Sequence, residues 1–185
     1  MMQNDRIAFV GLGAMGLPMA RNLVRAGYPL RGFDTRDTAR QALAQAGGEA
    51  SPDLAHACAG ADRLVLMVVN IAQARAVLIA GGAVSALPAG ARICLMATCP
   101  PPEVAALAAD IAAAGHELID CPVSGGVVGA EAGTLTIMAA APRASFQAVE
   151  PMLRAMGDKL YHCGETPGQG AMVKAINQLL CGVHL

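Results

Sequence analysis

The segment Gly11-Leu12-Gly13-Ala14-Met15-Gly16 constrains this chain more than any other. It follows an apolar run, Ile7–Val10, and precedes a stretch from Ala14 to Ala26 in which Met15, Met19, Leu23 and Ala26 recur at helical spacing before Gly27. A G-x-G-x-x-G between a strand and a helix has a physical reading at each glycine. Gly11 permits a tight turn, Gly13 lets backbone approach a pyrophosphate without a Cβ, and Gly16 lets the helix pack close to the strand. The helix amino terminus then offers N–H groups and a partial positive charge to phosphate. Asp34, 23 residues after Gly11 and at the end of a second short strand, Leu30–Phe33, is placed to accept hydrogen bonds from ribose hydroxyls. That favours NAD, although Arg36 is a candidate partner for the 2′-phosphate of NADP. A glycine turn in a fold for flavin or another nucleotide remains the alternative at this point.

The rest of the chain alternates short β-branched runs with alanine-rich helical stretches, the pattern of parallel strands joined by crossover helices. Strands are expected at Leu64–Val69, Ala91–Met96, Glu117–Asp120, Thr134–Ala139 and Leu160–Cys163. Helices are expected at Thr38–Ala46, from Pro100 to Ala114 and at Ala144–Met156, with a short one opened by Ser51 as cap and Pro52. Pro122–Gly133 reads as a loop. From Gly170 onward, Met172, Val173, Ile176, Leu179, Leu180 and Val183 keep helical spacing, and the chain ends at Leu185 without a stop signal. The expected architecture is α/β: a Rossmann-type, doubly wound, mainly parallel sheet over residues 1–164, with residues 165–185 beginning an interdomain helix. The apolar face of that helix is expected either to seek a partner or to pack back on its own domain.

Composition bears on partners. The net charge is −1 with Lys and Arg scattered, aromatics make up 3% and Trp is absent, so neither nucleic acid nor an anionic membrane is an expected partner. Gly and Pro interrupt the apolar runs before any reaches bilayer length. Met1–Arg6 is polar and lacks the basic and apolar regions of a signal peptide, so a cytoplasmic location is expected. The six cysteines form no C-x-x-C pair and no zinc-finger spacing with His, so no metal is expected and most thiols should be buried.

Two later segments are candidates for chemistry. Asp120-Cys121-Pro122-Val123-Ser124-Gly125-Gly126 leaves a strand and turns sharply, so Ser124 Oγ and the N–H groups of Gly125 and Gly126 can form a small nest for a carboxylate. In Gly168–Gln178, Lys174 and Asn177 stand three apart on one helix face. A lysine whose burial lowers its pKa can take the proton of an alcohol; a solvated surface lysine is the ordinary alternative.

Gly11–Leu23 resembles the amino-terminal signature of the 3-hydroxyisobutyrate dehydrogenase, or β-hydroxyacid dehydrogenase, family. Asp120–Gly126 is similar to its substrate loop, Gly133–Met138 to the strand that follows, and Gly168–Gln178 to its catalytic lysine segment. The resemblance implies an NAD(P)-dependent dehydrogenase acting on the CH–OH group of a small hydroxy-carboxylate. It implies Lys174 as general acid/base, substrate contacts from Ser124, Gly125, Gly126 and Asn177, and cofactor contacts from Gly11, Leu12, Gly13, Ala14, Met15, Gly16, Asp34, Val69, Asn70 and Thr98. Around Thr98 the chain departs from the family, since Met96-Ala97-Thr98-Cys99-Pro100 is apolar where polar neighbours are usual. Val68–Gln73 and the run from Asn177 are most similar to a branch that oxidises the 2-hydroxyl of a four-carbon sugar acid. His184 is not assigned a role. The family also implies a following helical domain through which a homo-oligomer forms, so a non-catalytic NAD-binding fragment is the expectation from another class.

Overall fold

A computed structural model describes residues 6–183; His184 and the amino-terminal Met1–Asp5 lie outside them. Among the described residues nine strands and their helices follow in the order β1 (Ile7–Val10), α1 (Gly16–Arg25), β2 (Leu30–Phe33), α2 (Asp37–Gln45), β3 (Glu49–Ala50), α3 (Leu54–Cys58), β4 (Arg63–Leu66), α4 (Ile71–Arg75), a π-helical turn (Ala76–Ala80), α5 (Ala83–Ala86), β5 (Arg92–Leu95), α6 (Pro101–Ala113), β6 (Glu117–Asp120), β7 (Val123–Ser124), α7 (Gly126–Ala132), β8 (Thr136–Ala140), α8 (Arg143–Arg154), β9 (Lys159–Gly164) and α9 (Gln169–Val183). The sheet runs β3-β2-β1-β4-β5-β6-β8-β7, with β9 also on β8. Its first six strands pair in parallel, and the order reverses between β1 and β4, where the chain returns from β3 to the other side of β1. In sheets of this kind ligands bind at the carboxyl ends of the strands beside that reversal. The mainly parallel, doubly wound expectation therefore holds.

Strand alternation builds two cores, one on each face of the sheet. Ile7, Phe9, Val65, Cys94 and Ile119 point to one face, against Met19 and Leu23 of α1 and Phe146, Val149 and Met152 of α8. Ala8, Val10, Leu64, Leu66, Ile93 and Leu95 point to the other, against Leu78, Val84, Leu107 and Ile111. All four strand residues of β1 and of β4 are buried, and apart from Arg63 at the start of β4 all of them are apolar.

Several local expectations are corrected. The strand expected to reach Val69 leaves the sheet after Leu66, because Met67–Val69 turn along the carboxyl edge and Val69 is 77% exposed. Ser51 is buried and does not cap a helix; Asp53 does, its carboxylate accepting from His56 N–H at 2.7 Å. The stretch expected to be a loop, Pro122–Gly133, contains β7 and α7, the helix being anchored to α1 by Asn22 Nδ2 donating to Ala130 O at 2.7 Å. Glu49–Ala50 adds a short edge strand that has no apolar signature.

Helix α9 packs back on its own domain along only part of its surface. Gly170, Ala171 and Lys174 are buried where α9 meets β6, β8, β9 and α6, while Met172, Ile176, Leu179, Leu180 and Val183 are more than half exposed. Cys58, Cys94, Cys99 and Cys121 are buried, Cys163 is partly so and Cys181 is exposed. Burial pushes the Cys58 and Cys99 thiols up to about 11, which leaves them protonated and poorly nucleophilic at neutral pH. No helix of the described residues is long and apolar enough to cross a membrane.

Candidate functional site

The glycine loop sits at the reversal of strand order. Gly11 has φ +93°, and a Cβ there would lie 2.1 Å from Met67 O; one at Gly16 would lie 1.8 Å from Gly11 O. Both glycines are thus required by the close approach of β1, the loop and β4. A Cβ on Gly13 would meet nothing nearer than Arg36 Nη2 at 4.0 Å, so the face of the loop turned to the cleft is open backbone. No side chain caps the amino terminus of α1. Gly16→Ala is expected to lower unfolding stability by about 1–3 kcal/mol, the usual cost of overpacking a tight site, as measured by urea titration.

A cleft of about 410 Å³ lies along this loop, lined among others by Gly11, Gly13, Asp34, Arg36, Val69 and Gln73. At the end of β2, Asp34 Oδ2 accepts from Leu12 N–H at 2.8 Å, and Oδ1 accepts from Arg36 N–H at 2.9 Å and Arg36 Nε at 3.0 Å. Burial alone would raise this carboxyl, but the hydrogen bonds from Arg36 and Leu12 outweigh it and hold Asp34 below its ordinary value. On the far wall Asn70 Oδ1 accepts from Gln73 N–H and caps α4, while Val69 N–H donates to Gln73 Oε1 at 3.0 Å. Asn70 is therefore committed to shaping the wall, and Val69 presents its exposed side chain to the cleft.

A second recess of about 330 Å³ lies at the other end of the loop, lined by Met15, Met67, Met96, Thr98, Val123, Ser124, Gly125, Gly126, Lys174 and Gln178. Thr98 follows β5; Ser124 ends β7; Gly125 and Gly126, at φ +126° and +63°, turn the chain into α7. Lys174 is 5% exposed and its Nζ donates to Gln178 Oε1 at 2.9 Å. Burial lowers the Lys174 pKa, opposed by the Cys181 thiol nearby. Asn177 Nδ2 donates to Ser124 Oγ at 3.3 Å, linking α9 to β7.

The device that fixes α9 is Asp120, fully buried at the end of β6. Its Oδ2 accepts from Gly168 N–H and Ala171 N–H, both at 2.8 Å, so a carboxylate from the sheet closes the first turn of the helix. Gly170 must lack a side chain, because a Cβ would lie 2.4 Å from Met138 O.

The structure thus gathers Thr98, Ser124, Gly125, Gly126 and Lys174 with Met15 of the glycine loop around one recess, and Asp34 and Val69 with Gly11 and Gly13 around the other. Leu12 is buried and serves Asp34 through its N–H; Ala14 is exposed at the bend before α1. Asp120 and Gln178 were not singled out from sequence. Gln178 stands four residues after Lys174, a spacing that puts the two side chains together on a helix, whereas no sequence signal marks Asp120 as the cap of a helix 51 residues away in the chain.

Fold and cleft define a dinucleotide-binding domain. Residues 6–164 match the family described as the NAD binding domain of 6-phosphogluconate dehydrogenase. The chain is 39% identical over 180 residues to an L-threonate dehydrogenase of Cupriavidus necator, a match covering 97% of this chain and 61% of that protein. It is 38% identical to a 2-(hydroxymethyl)glutarate dehydrogenase of Eubacterium barkeri, covering 100% of this chain and 62% of the relative. A crystal structure of 3-hydroxyisobutyrate dehydrogenase from Salmonella typhimurium superposes with a TM-score of 0.91 at 36% identity, covering 97% of this chain and 63% of that one. The chain belongs to this family of NAD-binding domains, within the 3-hydroxyisobutyrate dehydrogenase group that its glycine signature resembles. It spans about three-fifths of the length of these relatives.

Proposed function

We propose that this chain is the cofactor-binding part of an NAD-dependent dehydrogenase that oxidises the hydroxyl of a small hydroxy-carboxylate, with L-threonate, converted to 2-dehydro-L-erythronate, as the substrate. The observation that carries the reading is Lys174, a nearly fully buried lysine in a recess shared with Ser124 and the glycine loop. Oxidation of 3-hydroxyisobutyrate and reduction of 2-hydroxy-3-oxopropionate are the alternative reactions at the same residues. Residues 1–164 form the NAD-binding domain, and residues 165–185 begin the helix leading to a helical domain through which the protein forms a homo-oligomer in the cytoplasm.

The residues fit the cofactor: the open backbone at Gly13 and the uncapped start of α1 suit a pyrophosphate, and Asp34 suits the ribose diol. When bound, NAD supplies the acceptor for hydride. The chain's own part is acid–base and positional. Ser124 Oγ with the Gly125 and Gly126 N–H groups would hold the substrate carboxylate, and Thr98, which lines the same recess, would contact the cofactor there. Lys174, neutral when it acts, takes the hydroxyl proton on Nζ, while Gln178 accepts one Nζ hydrogen and so directs the lone pair. Asn177, tied to Ser124, orients the hydroxyl.

The test is NAD titrated into this chain by calorimetry, with NADH formation then followed for the full-length protein on L-threonate, 3-hydroxyisobutyrate and glycerate. Saturable NAD binding with the highest kcat/KM on L-threonate is expected. No NAD binding would end the whole reading, and a different preferred acid would end its substrate.

A further inference from the structure

The two polar groups that face each other across the second recess arrive there by separate routes. Ser124, Gly125 and Gly126 are carried by β7 and the start of α7, and Lys174 by α9. Their relative position is therefore set by contacts and not by the chain between them. One link is Asn177 Nδ2 to Ser124 Oγ, a single bond at 3.3 Å to the hydroxyl that a substrate carboxylate would engage. Another is Asp120, whose Oδ2 accepts from Gly168 N–H and Ala171 N–H, both at 2.8 Å and inside the fold.

Asp120 belongs to both sides of the gap. Its backbone ends β6 and enters the run Cys121-Pro122-Val123-Ser124 that leads to the turn at Gly125. Its carboxyl grips the first turn of α9, and Lys174 stands about one turn beyond Ala171 on the same helix. The surrounding backbone leaves that turn little slack. A Cβ on Gly168 would lie 2.9 Å from Pro101 O, and one on Gly170 would lie 2.4 Å from Met138 O and 2.9 Å from Asp120 O. Both hydrogen bonds go to backbone N–H groups, so they move with the helix itself, and a ligand on Ser124 leaves them in place.

We infer that Asp120 is a positioning residue: by holding the first turn of α9 it fixes the span from the Ser124–Gly126 nest to the Lys174 amine, and that span selects how far from the carboxylate a substrate's hydroxyl must stand. This rests on the dehydrogenase reading of the recess. With the carboxylate in the nest, a 2-hydroxy acid and a 3-hydroxy acid present their hydroxyls at different distances, so an amine held in one place serves one of them. L-Threonate, reacting at its 2-hydroxyl, and 3-hydroxyisobutyrate, reacting at its 3-hydroxyl, differ in this way. A misplacement on the order of 1 Å costs about 10²-fold in rate.

The test is kcat and KM of the full-length protein on these two acids for wild type, Asp120→Ala and Asp120→Asn. Val149→Ala, a substitution in the core beside α8, controls for lost stability alone, and each protein is assayed below its thermal unfolding midpoint. Asp120→Ala is expected to lose about 10²-fold in kcat on the preferred acid, to bring the kcat/KM ratio of the two acids toward unity, and to leave NAD affinity unchanged. Its kcat/KM should also level off at a higher pH, nearer the ordinary lysine value of 10.5, because a loosened α9 returns Lys174 to water. Asp120→Asn keeps an oxygen for the two N–H groups and should retain the wild-type ratio and profile. If the alanine protein does not fold, Asp120→Ser, with one short hydroxyl in place of the carboxyl, carries the same expectation. A ratio and pH profile that stay at wild-type values in Asp120→Ala, or change no more than in Val149→Ala, overturn the inference. So does an Asp120→Asn protein as impaired as the alanine one, because the carboxyl would then act by its own chemistry and not by holding the helix. Either result leaves the dehydrogenase reading intact, whereas wild-type turnover of neither acid removes both.

Discussion

Replacing Lys174 by alanine is expected to lower kcat of the full-length protein by about 10²- to 10⁴-fold, the range contributed by a positioned general base, with NAD affinity unchanged. The separation follows from placement. Lys174 lines the recess with Ser124 and Gly126, and that recess shares only Met67 with the cleft around Asp34. The pH profile gives a second readout. The base acts in its neutral form, and burial favours that form, so kcat/KM should rise with pH and level off below 10.5, the ordinary lysine value. A Gln178→Leu protein removes the acceptor that stabilises the charged amine, so its plateau should begin at a lower pH still. Full turnover by Lys174→Ala, or a profile that climbs until 10.5, would contradict the assignment.

Asp120→Ala is expected to cost about 3–5 kcal/mol of unfolding stability, since two buried N–H groups lose their carboxyl acceptor at once. Asp120→Asn keeps an oxygen for those N–H groups and should cost clearly less, which separates capping from simple loss of packing. The carboxyl's own titration has a defined sign. Burial raises its pKa and the hydrogen bonds from Ala171, Gly168 and Gly170 only partly offset this. The folded state therefore favours the protonated acid, and the wild-type protein should lose stability relative to Asp120→Asn as pH climbs from 3.8 through the raised value, with no further change above it. Urea titrations of the two proteins across that range measure it; a difference that grows in the opposite direction would sink the account.

Much of this is legible in the amino-acid sequence. The glycine loop, the strand before it and Asp34 after it lie close in sequence, and their requirements are local: positive φ at Gly11, close approach at Gly16, a carboxylate at a strand end. What resisted reading depends on distant partners. Met67, Val68 and Val69 continue an apolar run and look like strand, but they line the cleft beside the glycine loop, and the wall of a binding cleft is commonly as apolar as a core. β3 is exposed and polar, held only by its pairing with β2. β7 and α7 were hidden because Gly125 and Gly126 signal a turn, which they make, and give no hint that a helix follows at once. Pattern alone left Lys174 indistinguishable from a surface lysine; its burial follows from the packing of α9 against the sheet and α6, which Asp120 fixes by closing the first turn of that helix.

The strand order carries a consequence for changing this protein by mutation. The cleft beside Asp34 lies at the ends of β1, β2 and β4, the second recess runs from the ends of β4 and β5 to β7 and α9, and the two share only Met67 among their lining residues. On the proposed function, cofactor choice would rest on Asp34 and Arg36, and substrate choice on Ser124, Asn177 and Gln178, side chains with no hydrogen-bond partner in common. Free-energy changes from the two groups should add, so each preference is open to redesign, or to drift, without disturbing the other.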